Sequence, residues 1–177
     1  MILIKKEILI DFFNELIIKQ DYFECHEILE EAWKEKGNFT KEDVEVFLIL
    51  IVTGEYHYRR YNLIGATTSY KRALKLYESN HYHFDHLGFE DSFIDDIYKR
   101  FYKLSEKPFE PMQFPVKDWV YQDLYDLYED EFDSYSQFTI SILANVVRNK
   151  HITDKHRLRD RSDVVEARLQ ALKNKIK

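Results

Sequence analysis

His26 and Glu30 stand four residues apart in the run DYFECHEILEEAW, residues 21–33, and Trp33 follows three residues later. In a helix each residue turns the chain by about 100°, which sets His26 and Glu30 one above the other on one face. An imidazole and a carboxylate so placed can hold a divalent metal ion, act as an acid–base pair, or neutralise each other at a packed edge. Two ligands do not complete a metal site, since catalytic zinc usually takes three from the protein. A second run, GEYHYRRYN, supplies His57 as a candidate partner, with Arg60 and Asn62 close behind. The candidate ligand-binding residues are therefore His26, Glu30, Trp33, His57, Arg60 and Asn62, with His26 and Glu30 as the candidate metal ligands. No catalytic residue is singled out.

Other constellations are weaker. His81, His83, Asp85 and His86 spell the HxHxDH of metallo-β-lactamases. That motif works at a strand end in a glycine-rich sandwich, whereas here helical patterns flank it and the chain has four glycines. A solvated loop is the expectation. Cys25 adjoins His26, but neighbours on a helix diverge by about 100° and do not form a nucleophile pair. Arg59 and Arg60, and the tail arginines Arg157, Arg159 and Arg161, could bind phosphate. Arg60 comes near the inner side of its helix, where Glu30 or Glu55 could pair with it instead. No phosphate-cradling glycine loop, nucleophile elbow or paired-cysteine motif is present.

The elements that must position these residues read as helices. Ile8, Phe12 and Leu16 stripe a helix over 5–19, broken at Gln20 and Asp21. Asp21 with Glu24 reads as a capping box that opens the signature helix, which Gly37 ends. Thr40 with Asp43 predicts another cap, and a long helix over about 41–61. A fourth covers 62–78, with Ala66, Tyr70, Ala73 or Leu74, and Tyr77 inward, and a fifth about 89–105. All three prolines fall in KPFEPMQFP, 107–115, the best candidate boundary. Beyond it, 117–149 reads as one broken or two short helices with Tyr121, Leu124, Leu127 and Tyr128 on one side. HITDKHRLRDR reads as extended, and the end as an exposed helix capped by Ser162. The fold class is all-α: a helical-bundle core over 1–106 and a C-terminal helical extension over 107–177.

Helical geometry refines the site. Tyr22, Leu29 and Trp33 fall within about 60° of His26, so the spacing predicts His26 on the buried stripe and Glu30 at its margin. Glu24, Glu27, Glu31 and Glu35 form the solvated face. In an antiparallel hairpin His26 and His57 would lie roughly 9 Å apart along the axis, which permits a shared pocket but weakens a shared metal.

DYFECHEILEEAW followed by YHYRRYNLIGA resembles the bacterial and archaeal domain-of-unknown-function family 309. His26, Glu30 and Trp33 match its His-x-x-x-Glu-x-x-Trp helix. His57, Arg60, Asn62, Gly65 and Ala66 match its downstream segment. The likeness covers 10–78 well, and KHRLRDRSDVVEAR is similar to the C-terminal extension of Bacillus-type members. The resemblance implies a helical protein whose signature binds metal. The chain departs from the family at Phe47-Leu48-Ile49-Leu50, where Gly-Leu-Ile-Gln is usual, and at Tyr61, where Gly is common. Asn62 can cap the fourth helix, and Gly65 can let two helices approach closely.

Bulk properties bound the rest. With 177 residues, 45% of them hydrophobic, the chain can bury one sizeable core. One cysteine excludes an intrachain disulfide and fits a reducing compartment. The longest apolar run, VFLILIV, is far below the roughly 20 residues of a membrane helix, and the short apolar run of MILIKKEILI, broken by Lys5, Lys6 and Glu7, makes a signal peptide unexpected. A cytoplasmic location without membrane contact is the expectation. The net charge of −6 hides an asymmetry: residues 78–135 carry −10 and residues 136–177 carry +6. Docking of the tail on the chain's own acidic region is the simpler outcome, and a globally acidic protein is a poor polyanion binder. Nucleic acid is thus the weakest partner. The leading readings are a pocket for a small ligand or divalent metal ion, with hydrolysis open to it, and an interaction module for a protein partner in which the signature is structural. Oligomeric state is not indicated.

Overall fold

Asp21 opens the signature helix as expected: its Oδ1 accepts a hydrogen bond from the Glu24 N–H at 2.9 Å. The computed structural model describes residues 4–155 and 162–175. Its helices are α1 (Lys6–Phe13), α2 (Tyr22–Glu35), α3 (Val44–Arg59), α4 (Leu63–Asn80), α5 (Phe93–Lys103), α6 (Asp118–Tyr128), α7 (Tyr135–Leu143), α8 (Lys150–Thr153) and α9 (Ser162–Lys175). Among the described residues the only bridge is an isolated antiparallel pairing of Phe89 with Val116. The fold is an all-α bundle in which α3 packs against both α2 and α4.

Three local readings change. The helix expected over 5–19 passes at Asn14 into a π-helical turn, Asn14–Lys19, and closes at Gln20 with φ 50°. Near Thr40 the cap works backwards: the Asp43 carboxylate accepts from the Thr40 N–H at 2.9 Å and from its hydroxyl at 3.1 Å, so α3 starts at Val44. Residues 151–153, read as extended, fall in a helical turn, Lys150–Thr153, that Asn149 opens by accepting from the His151 N–H.

The core is aromatic. Phe12, Phe13, Phe47, Tyr70, Phe89 and Phe93 are fully buried, and Phe89 stacks on Phe93 at 3.9 Å. Phe47, at a departure from the family pattern, fills this cluster against Phe84 and Phe93. Ala66, Tyr70, Ala73 and Leu74 are buried on α4 as the spacing predicts. Val120, Leu124 and Phe138 belong to the same core, whereas Leu127, expected beside them, is 55% exposed.

Close approach of α3 and α4 depends on Gly54, where an added Cβ would lie 2.6 Å from the Tyr70 ring. Next to it, buried Glu55 accepts from Tyr70 Oη at 2.5 Å and from Arg100 Nε and Nη2 at 2.9 and 2.8 Å. Arg100 also donates to the Glu110 carbonyl and lies over the Tyr58 and Phe109 rings, which fastens the proline segment to α3 and α5.

Candidate functional site

The buried arc of α2 is Tyr22, Cys25 and Leu29. It is centred near Leu29 rather than on His26, because α1 and α3 close on that side. His26 therefore sits at the margin, its side chain 32% exposed, and Glu30 is 36% exposed. Turning the arc by about 60° brings Glu27, assigned to the solvated face, beside them. His26 Nδ1 lies 3.1 Å from Glu27 Oε1, while Glu30 pairs with Lys34 at 3.0 Å. Ligand atoms of His26, Glu27 and Glu30 come within 4.8 Å of one another. Glu30 is thus not the carboxylate that pairs with His26; Glu27 is. Spacing contained the signal, since i, i+1 and i+4 share an arc of about 100°.

Trp33 looks the other way. Its indole Nε1 donates to the Thr40 carbonyl at 2.9 Å and to Asp43 Oδ2 at 3.0 Å, and its ring packs on Phe39. Burial opposes charge on Asp43, but the Thr40 N–H and hydroxyl, the Lys36 charge and the indole outweigh it and hold the carboxyl below its usual range. Trp33 therefore closes the α2–α3 loop.

The second half of the signature folds on itself. Asn62 caps α4, its Oδ1 accepting from the Gly65 N–H at 3.0 Å, and its amide nitrogen lies 3.1 Å from His57 Nδ1. With Oδ1 occupied by the cap, the amide donates, so Nδ1 accepts and the imidazole is neutral with its proton on Nε2. Burial, with Arg60 adding to it, lowers the His57 pKa accordingly. A Cβ at Gly65 would meet the Asn62 amide at 2.5 Å and the His57 ring at 2.9 Å, so glycine is the residue this junction accepts. Tyr61 carries φ 60° in the turn, which explains why Gly is common there.

The structure does not bring the signature residues into one pocket. His26 is linked to His57 through a chain of rings, stacking on Phe23, which meets Tyr56, which meets His57. Arg60 pairs with neither Glu30 nor Glu55; its Nε donates to Asp154 at 2.8 Å and its guanidinium lies over Tyr56. Cys25 is fully buried, and burial pushes its thiol well up, so no nucleophile arises there. Among the described residues His81, His83 and His86 form no ligand cluster, and Asp85 pairs with Lys117.

The described part of the tail docks on the protein: Phe138 packs on Tyr125 and Tyr128, within 78–135, while the ion pairs of Lys155 and Asp154 reach α2 and Arg60. Lys155 donates to Asp21 and Glu24, both at 2.8 Å. Asn145 and Val147 are held by Gln20 and the Ile18 carbonyl. Arg157, Arg159 and Arg161 lie outside the described residues. Among the described residues no helix is long and apolar enough to cross a membrane.

Comparison with known proteins agrees with this signature. The model of a family described as "Domain of unknown function (DUF309)" matches residues 10–68, from α1 into α4. A curated relative, "Uncharacterized protein YpuF" of Bacillus subtilis (strain 168), is 30% identical over 170 residues, 95% of this chain and 95% of that protein. The chain belongs to the DUF309 family. No solved structure matches it. The DUF309 model spans both halves of the signature, while the likeness to YpuF covers 95% of the chain.

Proposed function

We propose that this DUF309 protein is a helical cation-binding module, with His26, Glu27 and Glu30 holding a divalent metal ion at the edge of α2. One observation carries the reading: the three ligand atoms converge within 4.8 Å, while the polar partners of His26 and Glu30 all lie on α2 itself. Trp33, His57, Asn62 and Gly65 each hold the α2–α3 loop or the α3–α4 junction, whereas Glu30 pairs with Lys34 and His26 meets Glu27 and the Phe23 ring, all on α2 itself. Binding requires Lys34 to yield Glu30, a small cost, since exposed ion pairs are worth about 0–1 kcal/mol. One nitrogen and two carboxylates then approach the ion at about 2.0–2.2 Å through rotations about side-chain bonds. Partial exposure leaves coordination positions to water or substrate, and a metal with such a water can support hydrolysis.

Calorimetric titration of the full chain, without a histidine tag, with Zn²⁺ and Mn²⁺ tests this. One equivalent should bind, with affinity reduced at least about ten-fold in His26→Ala and Glu30→Gln and unchanged in Glu31→Gln. Absence of saturable binding, or equal binding by His26→Ala, overturns it.

A second reading rests on the structural half of the signature. Tyr61 and Ile64 are 79% and 84% exposed at the α3–α4 turn, and such a rigid apolar tip suits a protein partner. Loss of partner capture in Ile64→Asp with metal binding intact would favour it.

A further inference from the structure

A cavity of about 880 Å³ lies away from the signature helix, where residues 142–154 pass the end of α3. That volume falls in the range of small-molecule sites. Its polar lining includes four cationic side chains, Arg59, Arg60, Arg148 and Lys150, against two carboxylates, Glu110 and Asp154. On a protein of net charge −6 this is an island of positive charge. Arg60 and Asp154 neutralise each other, which leaves the surplus on Arg59, Arg148 and Lys150.

Arg59 is the unusual member. It is buried at 9% exposure, its Nη1 donates to the Gln20 carbonyl at 2.5 Å, and its guanidinium lies 4.4 Å over the Tyr22 ring. Its Nε and Nη2 have no hydrogen-bond partner among the described residues. The nearby carboxylates are already engaged: Asp21 accepts from Lys155, and Glu55 from Arg100 and Tyr70. A buried guanidinium with idle donors destabilises the fold until an acceptor reaches it. Another part of the wall is apolar, with Leu16, Ile17, Phe109 and Met112, beside polar side chains such as Gln113 and Asn145.

We propose that this cavity binds a small amphipathic organic anion, its carboxylate, phosphate or sulfonate head on Arg59 and its apolar body against Leu16, Ile17, Phe109 and Met112. Arg148 and Lys150 draw the anion in. The guanidinium fork selects an anionic head because it offers parallel N–H groups to two oxygens. The apolar wall selects an organic body over an inorganic ion. This site is separate from the cation site on α2 and stands or falls independently of it.

The test uses the full native chain and 8-anilinonaphthalene-1-sulfonate as a fluorescent probe, displaced by decanoate, decanol or inorganic phosphate. The probe should bind saturably, one per chain. Decanoate should displace it at a concentration at least about ten-fold below that of decanol, and inorganic phosphate should not displace it. Arg59→Met should erase the preference for decanoate over decanol. Because Arg59 also holds Gln20, a second variant guards against loss of folding: Val146→Trp, at an exposed rim position, should weaken probe and decanoate together while the melting transition stays native. Failure of the wild type to bind the probe saturably, equal displacement by decanol, or unaltered binding in Val146→Trp overturns the proposal.

Discussion

Removal of the Arg100 guanidinium should be among the most damaging single changes available to this bundle. Glu55 is 0% exposed and is held by two hydrogen bonds from Arg100, at 2.9 and 2.8 Å, and one from Tyr70 at 2.5 Å. In Arg100→Met the volume of the stem survives, and Tyr58 and Phe109 keep an apolar neighbour. The carboxylate, however, keeps only a phenol as donor. Breaking a buried pair in this way costs about 3–5 kcal/mol, and losing the cation from two ring faces adds at most about 1–2 kcal/mol. Urea unfolding followed by far-ultraviolet circular dichroism reads the loss. With a slope on the order of 2 kcal/mol per molar urea, the midpoint should fall by about 2 M. Replacing the whole polar cluster, as Arg100→Met with Glu55→Leu and Tyr70→Phe, should restore part of the loss, because no charge is then left stranded. A loss below about 1 kcal/mol in the single variant, or a triple variant less stable than the single one, refutes this account of the cluster.

Other outcomes follow from the signature. Tyr61→Gly should stabilise the protein by about 0.5–1 kcal/mol, since φ 60° strains a side-chain-bearing residue that is 79% exposed and packs little; thermal melting reads it, and a lower melting temperature would contradict the strain. Trp33→Phe keeps an aromatic ring but loses both indole hydrogen bonds, and should cost about 1–2 kcal/mol by denaturant unfolding. His57 has a depressed pKa in the fold, so the unfolded chain takes up the proton first. Its contribution to stability is complete above the unfolded value of about 6.5 and is lost as the pH falls from there through the folded value. The stability difference between wild type and His57→Gln should therefore shrink on acidification across that window, and a difference independent of pH would contradict the neutral tautomer that Asn62 imposes.

Much of the bundle was legible because helix starts leave chemical marks. Asp21 with Glu24, and Asn62 alone, marked two starts that the structure keeps, and Ala66, Tyr70 and Ala73 marked the inner face of α4. Local patterns failed where a distant element decided. His26 looked buried because Tyr22, Leu29 and Trp33 flank it, yet α1 and α3 close on the Leu29 side and leave it at the edge. Trp33 was counted with the pocket, but its indole follows acceptors in a loop that periodicity does not see. Arg60 had plausible carboxylates on nearby turns, and found Asp154 instead, 94 residues away. Glu27 was missed because it resembled an ordinary solvated acid, and Arg59, named as a phosphate-binding candidate, gave no sign in its spacing that it would be buried. Neither burial nor the absence of a partner is written in local spacing.

The most direct test of the proposed function is a crystal structure of the full chain soaked in Zn²⁺, with anomalous diffraction measured at the zinc edge. The cation reading predicts a peak at the edge of α2, about 2.0–2.2 Å from a ring nitrogen of His26 and from carboxylate oxygens of Glu27 and Glu30, absent in His26→Ala. Zinc bound elsewhere, with His26 still on Glu27 and Glu30 still on Lys34, would contradict it.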